Sequence, residues 1–276
     1  MAKSNLNAWL DAFEELWHKY QQRLKACRQN QNEDNVHVLR TCIRRLLAIL
    51  QLLQLLRPCP AIKPIRQLLK ERLDSLDALR DAQVMLFNTA RLLPELPELE
   101  PFLAFLHHRE KDLQQGCASD FASSIASKYT RKFKKVCNFY KRNLADTEFS
   151  DLLIPAIDSL YAEALRRYQA LSPGDVASIH RLRITIKKLR YVLESVSPWC
   201  ADLPGNPVTI KAYLTTMGDI QNSVVIRKAL ANFFGDLQVP PAIDRHFSTQ
   251  QEALVVEFIA SSAAIFGFWR EIELAD

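Results

Sequence analysis

Glycine is scarce in this sequence, and its scarcity limits the folds that the chain can adopt. Only 6 glycines occur among 276 residues, whereas leucine, alanine, arginine, lysine, glutamate and glutamine are abundant. Those six residue types lose little side-chain freedom in a helix, and no long segment alternates apolar and polar residues as a strand does. Composition therefore predicts an all-α fold. The sequence also lacks the glycine-rich loop by which many nucleotide-hydrolysing enzymes hold phosphate.

Paired metal-binding residues are also missing. The 6 cysteines are scattered, no Cys-x-x-Cys pair occurs, and no histidine or carboxylate lies at metal-ligand spacing from them. Isolated thiols of this kind are typical of buried side chains in a reducing compartment. We therefore expect no metal site, no disulfide framework and no cofactor.

The chain has no apolar run of membrane length. The stretch LLAILQLLQLL at 46–56 is 11 residues long, and the apolar segment at 253–269 is interrupted by Glu257. A membrane-spanning helix needs about 20 apolar residues. Acidic residues also appear early, where a signal peptide would carry its apolar region. These patterns predict a cytoplasmic protein with no membrane partner.

Helical periodicity, punctuated by proline, predicts about eight or nine long helices. Asn32 or Asp34 is a candidate cap for the second helix, and a third helix is predicted from about Pro64 to about Leu93. Gly116 is a candidate helix break. The clearest loop is predicted at 197–207.

An internal repeat is the most informative feature of the sequence. The segment at 36–53 aligns with the segment at 179–196, and each is followed by a short motif, LRDAQV at 79–84 or MGDIQN at 217–222. The aligned pairs are His37 with His180, Arg40 with Arg183, Arg44 with Lys187, Arg45 with Lys188 and Asp81 with Asp219. The repeat predicts two related halves, 1–145 and 146–276.

Each repeated helix is predicted to carry a basic face opposite an apolar face. Like charges four residues apart, such as Arg40 with Arg44 or Arg183 with Lys187, oppose helix formation by about 0.2 to 0.5 kcal/mol. Positive charge retained against this repulsion indicates a polyanionic ligand, since guanidinium groups form fork-shaped contacts with phosphate. The predicted contacts are His37, Arg40, Arg44, Arg45, His180, Arg183, Lys187, Lys188 and Arg190.

Two plainer interpretations of the basic faces remain open. Any amphipathic helix has a charged outer face, and the acidic strip of Asp74, Asp77 and Asp81 on the third predicted helix can neutralise the first basic face by ion pairs. Asp81 and Asp219 are the predicted orienting residues. Candidate additional contacts lie outside the repeated helices or within a basic tract at 128–142; they are Lys70, Lys128, Arg131, Lys135 and Lys211.

The paired motifs resemble those of the CHAD family, the conserved-histidine α-helical domain. Its pattern, His-x-x-Arg-x-x-x-Arg/Lys-Arg/Lys followed by Arg-Asp or Gly-Asp, occurs in both halves. The resemblance implies a single domain over 1–276, built from two pseudo-symmetric antiparallel helical bundles. It also implies a basic central groove that binds inorganic polyphosphate without hydrolysing it. Gln83, Gln221 and Asn222 stand where the family often has a second acid.

Three other functions compete with polyphosphate binding. A phosphotransferase or phosphatase would use His37 or His180 as its catalytic group. A general polyanion binder would hold the sugar-phosphate backbone of nucleic acid on the same basic faces. An interaction scaffold would bind no anion at all. If polyphosphate is the ligand, association with polyphosphate granules in the cytoplasm is expected.

Overall fold

The computed structural model describes residues 5–120, 126–200, 203–205 and 207–273, and α-helices dominate these ranges. They contain no β-strand, which confirms the all-α prediction. The helices are α1 Asn5–Gln29, α2 Glu33–Leu56, α3 Ile62–Asp74, α4 Asp77–Leu92, α5 Glu100–Asp120, α6 Ala126–Asn143, α7 Asp146–Gln169, α8 Val176–Val196, α9 Pro207–Phe234 and α10 Pro241–Ser261. Short 3₁₀ turns occupy Pro97–Leu99, Gly235–Leu237 and Ser262–Gly267.

The two repeated helices, α2 and α8, begin with the same kind of cap. The Asn35 amide donates a hydrogen bond to the Asn32 side chain at 2.9 Å, and the Ala177 amide donates to the Asp175 carboxylate at 3.0 Å. Each cap satisfies an amide that the helix leaves unpaired. His37 follows Asn32 by the same interval as His180 follows Asp175, so the caps set both histidines one turn into their helices.

The predicted third helix is two helices. The chain breaks at Ser75 and the buried Leu76, which separate α3 from α4. The Arg40 guanidinium stabilises this break, because it donates to the Leu73 carbonyl near the end of α3, which also accepts a hydrogen bond from the Leu76 amide. The other predicted break is also wrong, because Gly116 lies inside α5.

The apolar core crosses the boundary between the two predicted halves. Trp9 of α1 stacks on Phe149 of α7 with ring centroids 5.2 Å apart, inside a main core that draws on most of the helices. A second, smaller core joins α4 and α5 to α9 and α10. The internal repeat itself stays a prediction, although α2 packs against α1 and α8 packs against α7 in the same sequential manner.

No helix within the described ranges is both long enough and apolar enough to cross a membrane.

Candidate anion-binding site

The contact between α2 and α8 brings the basic faces of the two helices together. Arg44 of α2 lies close enough to Lys187 and Arg183 of α8 for each charge to act on the others. We call the group of basic side chains at this contact the central cluster. Its members are His37, Arg40, Arg44, Arg80, His180, Arg183, Lys187 and Arg190.

Lys187 is the most perturbed member of the central cluster. Burial, and then the positive charges of Arg44 and Arg183, lower the pKa of its ammonium group to about 6. Arg190 and Arg40 act in the same direction. No carboxylate in the described ranges lies within 4.0 Å of the Lys187 amine, and no hydrogen bond holds it. The amine is therefore half-buried among like charges without a counter-charge.

Arg44 and Arg183 share this lack of partners. Burial lowers the pKa of the Arg44 guanidinium to about 10, and the nearby Arg40 charge lowers it further. Burial also lowers the pKa of Arg183, whose Nε atom is buried and makes no hydrogen bond. Neither guanidinium forms an ion pair in the part of the chain that the structure describes. Tyr191, a buried residue of α8, partly offsets the shift at both arginines.

Gly218 of α9 provides the space that the Arg183 guanidinium occupies. A Cβ atom added at Gly218 would lie 3.1 Å from Nη2 of Arg183, closer than most contacts of real Cβ atoms. The Gly-Asp pair in the second motif therefore has a steric function at its glycine. The sequence analysis assigned no role to this residue, although the dipeptide that contains it carried the signal.

Arg40 does not reach the surface, which corrects its prediction as an open ligand contact. Its side chain is 5% exposed, forms an ion pair with Asp77 and donates to the Leu73 carbonyl oxygen at 3.0 Å. The alternative that the acidic strip neutralises part of the first basic face therefore holds for this residue. Arg40 ties α2 to the junction of α3 and α4.

Glu194 neutralises two other predicted contacts. Its carboxylate forms ion pairs with Arg190, at 3.2 Å on the same helix, and with Arg45 of α2, at 3.3 Å. The Arg190 guanidinium also lies over the Tyr191 ring, 4.8 Å from the centroid. These two arginines are therefore positioned by an acid at one edge of the central cluster. Part of the positive charge of the basic faces is therefore balanced by an acid at this edge.

Both repeated histidines have lowered pKa values. Burial is the largest cause at each, followed by Arg80 and Arg44 for His37 and by Arg183 for His180. A hydrogen bond with the Gln221 side chain opposes the shift at His180, and the Nδ1 atom of this ring is buried without a partner. Burial, and then the cations around the rings, therefore favour the neutral form of both imidazoles.

Asp81 and Asp219 lie beside the cations that they were predicted to orient. Burial raises the pKa of Asp81, and the charges of Arg40 and Arg44 oppose that rise. Burial likewise raises the pKa of Asp219, with Arg183 opposing it. Neither carboxylate comes within 4.0 Å of a basic side chain in the described ranges, so their orienting role stays a prediction.

Lys188 lies apart from the central cluster. Its partly covered ammonium group has a lowered pKa because of burial and of the charges on Arg66 and Lys70 of α3, while Glu163 of α7 opposes the shift. Lys70 therefore belongs with Lys188 at a second, exposed basic surface rather than with Lys187. The structure does not bring these two predicted contacts into the cluster.

The remaining predicted contacts are remote from the cluster. Lys128, Arg131 and Lys135 are exposed on α6, which packs against α1 and α3. Lys211 is exposed near the start of α9. None of them takes part in the charge interactions that define the central cluster.

A groove beside the cluster adds two basic residues that the sequence analysis missed. It has a volume of about 230 Å³, runs between α1 and α2, and is lined by Lys19, Arg23, His37 and Arg45 among others. An adjoining groove of about 440 Å³ continues past Arg45 to Tyr191. Lys19 and Arg23 lie on a helix that also carries three acids, Asp11, Glu14 and Glu15, so no sequence signal separated them from an ordinary solvated face.

The described residues contain no group of three or more histidine, cysteine or acidic side chains arranged to hold a metal ion.

Comparison with known proteins identifies a matching family model and a solved structure with a similar fold. A family model described as the CHAD domain matches residues 11–231. The fold is similar to the crystal structure of the CHAD domain from the plant Ricinus communis, with a TM-score of 0.66 and 20% sequence identity over 95% of this chain and 88% of that one. No match is found among curated proteins.

Proposed function

Because the chain belongs to the CHAD domain family, we propose that it binds inorganic polyphosphate at the central cluster and does not hydrolyse it. The observation that carries this proposal is the meeting of Arg44, Arg183 and Lys187 from two helices, with no carboxylate in the described ranges within 4.0 Å of any of these three basic groups. The ligand class comes from the family resemblance, and the basic side chains of this chain supply the means of binding it.

Unbalanced charge in a half-buried position costs free energy. Taking a charged group out of water is unfavourable unless a counter-charge compensates for it. A phosphate chain that enters the cluster supplies this counter-charge and pairs with the guanidiniums through charge-assisted hydrogen bonds. Binding would thus relieve a repulsion that the free protein carries at the contact between α2 and α8.

The neighbouring groove suits a polymeric ligand. Polyphosphate carries a negative charge on every phosphate, so it gains from basic residues spaced along a path rather than from one deep pocket. His37 and Arg45 line the groove that leads from the cluster to Lys19 and Arg23. We propose that the polymer continues along this groove after it crosses Arg44, Arg183 and Lys187.

The environment of His180 supports binding rather than hydrolysis. Its ring is hydrogen-bonded to the neutral amide of Gln221, which opposes the lowering of the His180 pKa but is not a carboxylate. The surrounding arginines favour the neutral imidazole, whereas a histidine base in a catalytic triad is stabilised by a carboxylate. We therefore propose a non-catalytic role for both histidines, in contact with the ligand.

A salt titration of binding tests the proposed function. Long-chain polyphosphate is titrated into the wild-type protein and into the double variant Arg44→Gln, Arg183→Gln at several salt concentrations. Each lost phosphate contact should reduce the slope of log affinity against log salt by about one, as for other phosphate polymers. The double variant Lys135→Gln, Lys211→Gln removes two exposed charges outside the cluster and is the matched control. Equal binding by the double variant would reject the central cluster as the site.

Competition distinguishes a polyphosphate binder from a general polyanion binder. Single-stranded RNA is added to the polyphosphate complex at fixed salt, with the two polymers matched in number of phosphates. We expect RNA to displace polyphosphate poorly, because ribose and bases separate its phosphates and enlarge the chain. Equal displacement would favour the nucleic-acid alternative. A cytoplasmic location at polyphosphate granules is the corresponding cellular proposal, and it is tested by imaging the tagged wild-type protein and the double variant.

A further inference from the structure

Glu194 of α8 occupies a position that also suits a phosphate group of the ligand. Its Oε2 atom accepts a hydrogen bond from Nη2 of Arg45, 3.3 Å away on α2, and its Oε1 atom lies 3.2 Å from Nε of Arg190. One carboxylate thus joins a guanidinium from each of the two repeated helices. Guanidinium groups bind carboxylate and phosphate oxygens through the same charge-assisted hydrogen bonds. The two kinds of anion therefore compete for these donors.

From this arrangement we infer that Glu194 is an intramolecular competitor of phosphate, which holds Arg45 and Arg190 until the polymer displaces it. The inference rests on the proposed function, since it requires the polymer to reach these two arginines. It adds a residue that limits affinity, whereas the proposed function names only residues that attract the ligand.

The contact between Glu194 and Arg190 is incomplete. The Arg190 Nε atom is buried, and it makes no hydrogen bond within the part of the chain that the structure describes. The two groups therefore form an ion pair without the alignment of a hydrogen bond. A buried donor that lacks an acceptor is unfavourable. A phosphate oxygen in better alignment would satisfy it.

The contact between Glu194 and Arg45 is exposed to solvent. The Arg45 side chain is 48% exposed and that of Glu194 is 29% exposed. Ion pairs at this exposure are weak, because water and salt screen the attraction between the charges. A polymer that is already bound at the central cluster presents further phosphates at high local concentration. It therefore competes effectively with a single carboxylate.

The groove beside Glu194 has room for the displaced carboxylate. This groove has a volume of about 440 Å³ and is lined by Glu194, Arg45, Ser195, Pro198 and Trp199 among others. Because Glu194 is already partly exposed there, its side chain can turn away from the arginines without losing contact with water. The exchange of carboxylate for phosphate thus needs a change of side-chain rotamer and no movement of helices.

Polyphosphate titrations of wild type and Glu194→Gln at several salt concentrations test the inference. Glutamine keeps the size of the side chain but removes its charge, so Arg45 and Arg190 become available to the ligand. We expect about a fivefold gain in affinity at low salt. The slope of log affinity against log salt should become steeper by about one for each arginine that is released.

Glu163→Gln is the matched control. Glu163 of α7 also joins two arginines, Arg166 at 3.1 Å and Arg167 at 2.9 Å, and none of these three residues belongs to the central cluster. Each glutamine variant raises the net charge by one and releases two guanidiniums. A general effect of charge would therefore strengthen binding equally in both variants, whereas a competitor at the site predicts a gain only in Glu194→Gln.

A cycle of variants tests whether the two arginines carry the gain. The double variant Arg45→Gln, Arg190→Gln is compared with the triple variant that also contains Glu194→Gln. Removing the carboxylate should add little affinity in this background, because the competitor no longer has an arginine to hold. Circular dichroism confirms that each variant is folded.

Three results would overturn the inference: equal affinity in wild type and Glu194→Gln, an equal gain in Glu163→Gln, or a gain that persists without the two arginines. If wild type binds polyphosphate and Glu194→Gln binds no better, the proposed function stands and the inference fails. Binding by Glu194→Gln alone would support the competitor and contradict the proposed binding by the wild-type protein. Binding by neither protein would reject both.

Discussion

Arg44 of α2 lies beside Lys187 of α8, the residue that occupies the same position in the second basic motif. Two basic side chains therefore meet at the contact between the repeated helices. The opposite faces of these helices provide the compensating stability, since Ile43 and Leu46 of α2 and Ile186 and Leu189 of α8 are completely buried. Burial of each such side chain contributes about 1.5 to 3 kcal/mol. Apolar packing thus holds the charged groups together.

Arg40→Ala should destabilise the protein, because it removes the side chain that joins α2 to the junction of α3 and α4. The Leu73 carbonyl would keep the hydrogen bond from the Leu76 amide but lose its charged donor, and a hydrogen bond from a charged group contributes about 1.5 to 3 kcal/mol. Urea unfolding measures the change in free energy of unfolding. Arg45→Ala is the control, since its half-exposed ion pair with Glu194 contributes about 1 kcal/mol or less. Equal losses for the two variants would contradict a structural role for Arg40.

Gly218→Ala should weaken anion binding while the helix remains stable. The added methyl group would lie 3.1 Å from Nη2 of Arg183 and displace the guanidinium by a few tenths of an ångström or more. Polyphosphate affinity measures this effect, and we expect a several-fold loss. Gly116→Ala is the matched control, because it adds the same methyl group within a helix where no atom lies within 4 Å. If both variants bind like wild type, Gly218 has no steric role at the site.

Lys187→Met should reduce the dependence of stability on pH. The folded protein releases the Lys187 proton near pH 6, whereas the unfolded chain holds it up to about pH 10.5. Between these values the unfolded state binds more protons, so the free energy of unfolding rises with pH. Urea unfolding at pH 6.5 and 8.5 should show a larger gain for wild type than for the variant. The same gain in both proteins would mean that the folded environment leaves Lys187 protonated.

Polyphosphate should raise the pKa values of His37 and His180. In the free protein, burial and neighbouring arginines lower both values, and the negative charge of a bound phosphate opposes those arginines. Binding should therefore take up protons and become tighter as the pH falls from about 7.5 towards 6. NMR titration of the imidazole resonances with and without polyphosphate measures the shift, with the exposed His107 of α5 as a control. Unchanged resonances would place the ligand away from both histidines.

Much of the architecture was accessible from the sequence, because it depends on local patterns. The scarcity of glycine and the helical periodicity predicted the all-α fold, and the candidate cap at Asn32 is a true cap. The repeated motifs singled out α2 and α8, the two helices that meet at the central cluster. Local patterns failed at the break between α3 and α4, which is stabilised by the distant residue Arg40.

The charge balance of the site was less accessible, because it depends on neighbours that are remote in sequence. Arg45 and Glu194 are separated by 149 positions, yet they form an ion pair. Helical periodicity does predict that Lys187 and Lys188 point in different directions, because adjacent residues lie about 100° apart around a helix. Which of the two would face α2 was decided by helix packing, and no pattern within α8 reveals that choice.

Because the main core joins the two halves of the chain, folding depends on how much of the chain the ribosome has synthesised. Trp9 can stack on Phe149, and Arg44 can lie beside Lys187, only after the chain has been synthesised past its midpoint. A nascent chain that ends at α6 would contain the first basic helix, α2, but would lack the contacts that α2 makes with α7 and α8. The central cluster can therefore be complete only late in translation, after α8 has been synthesised.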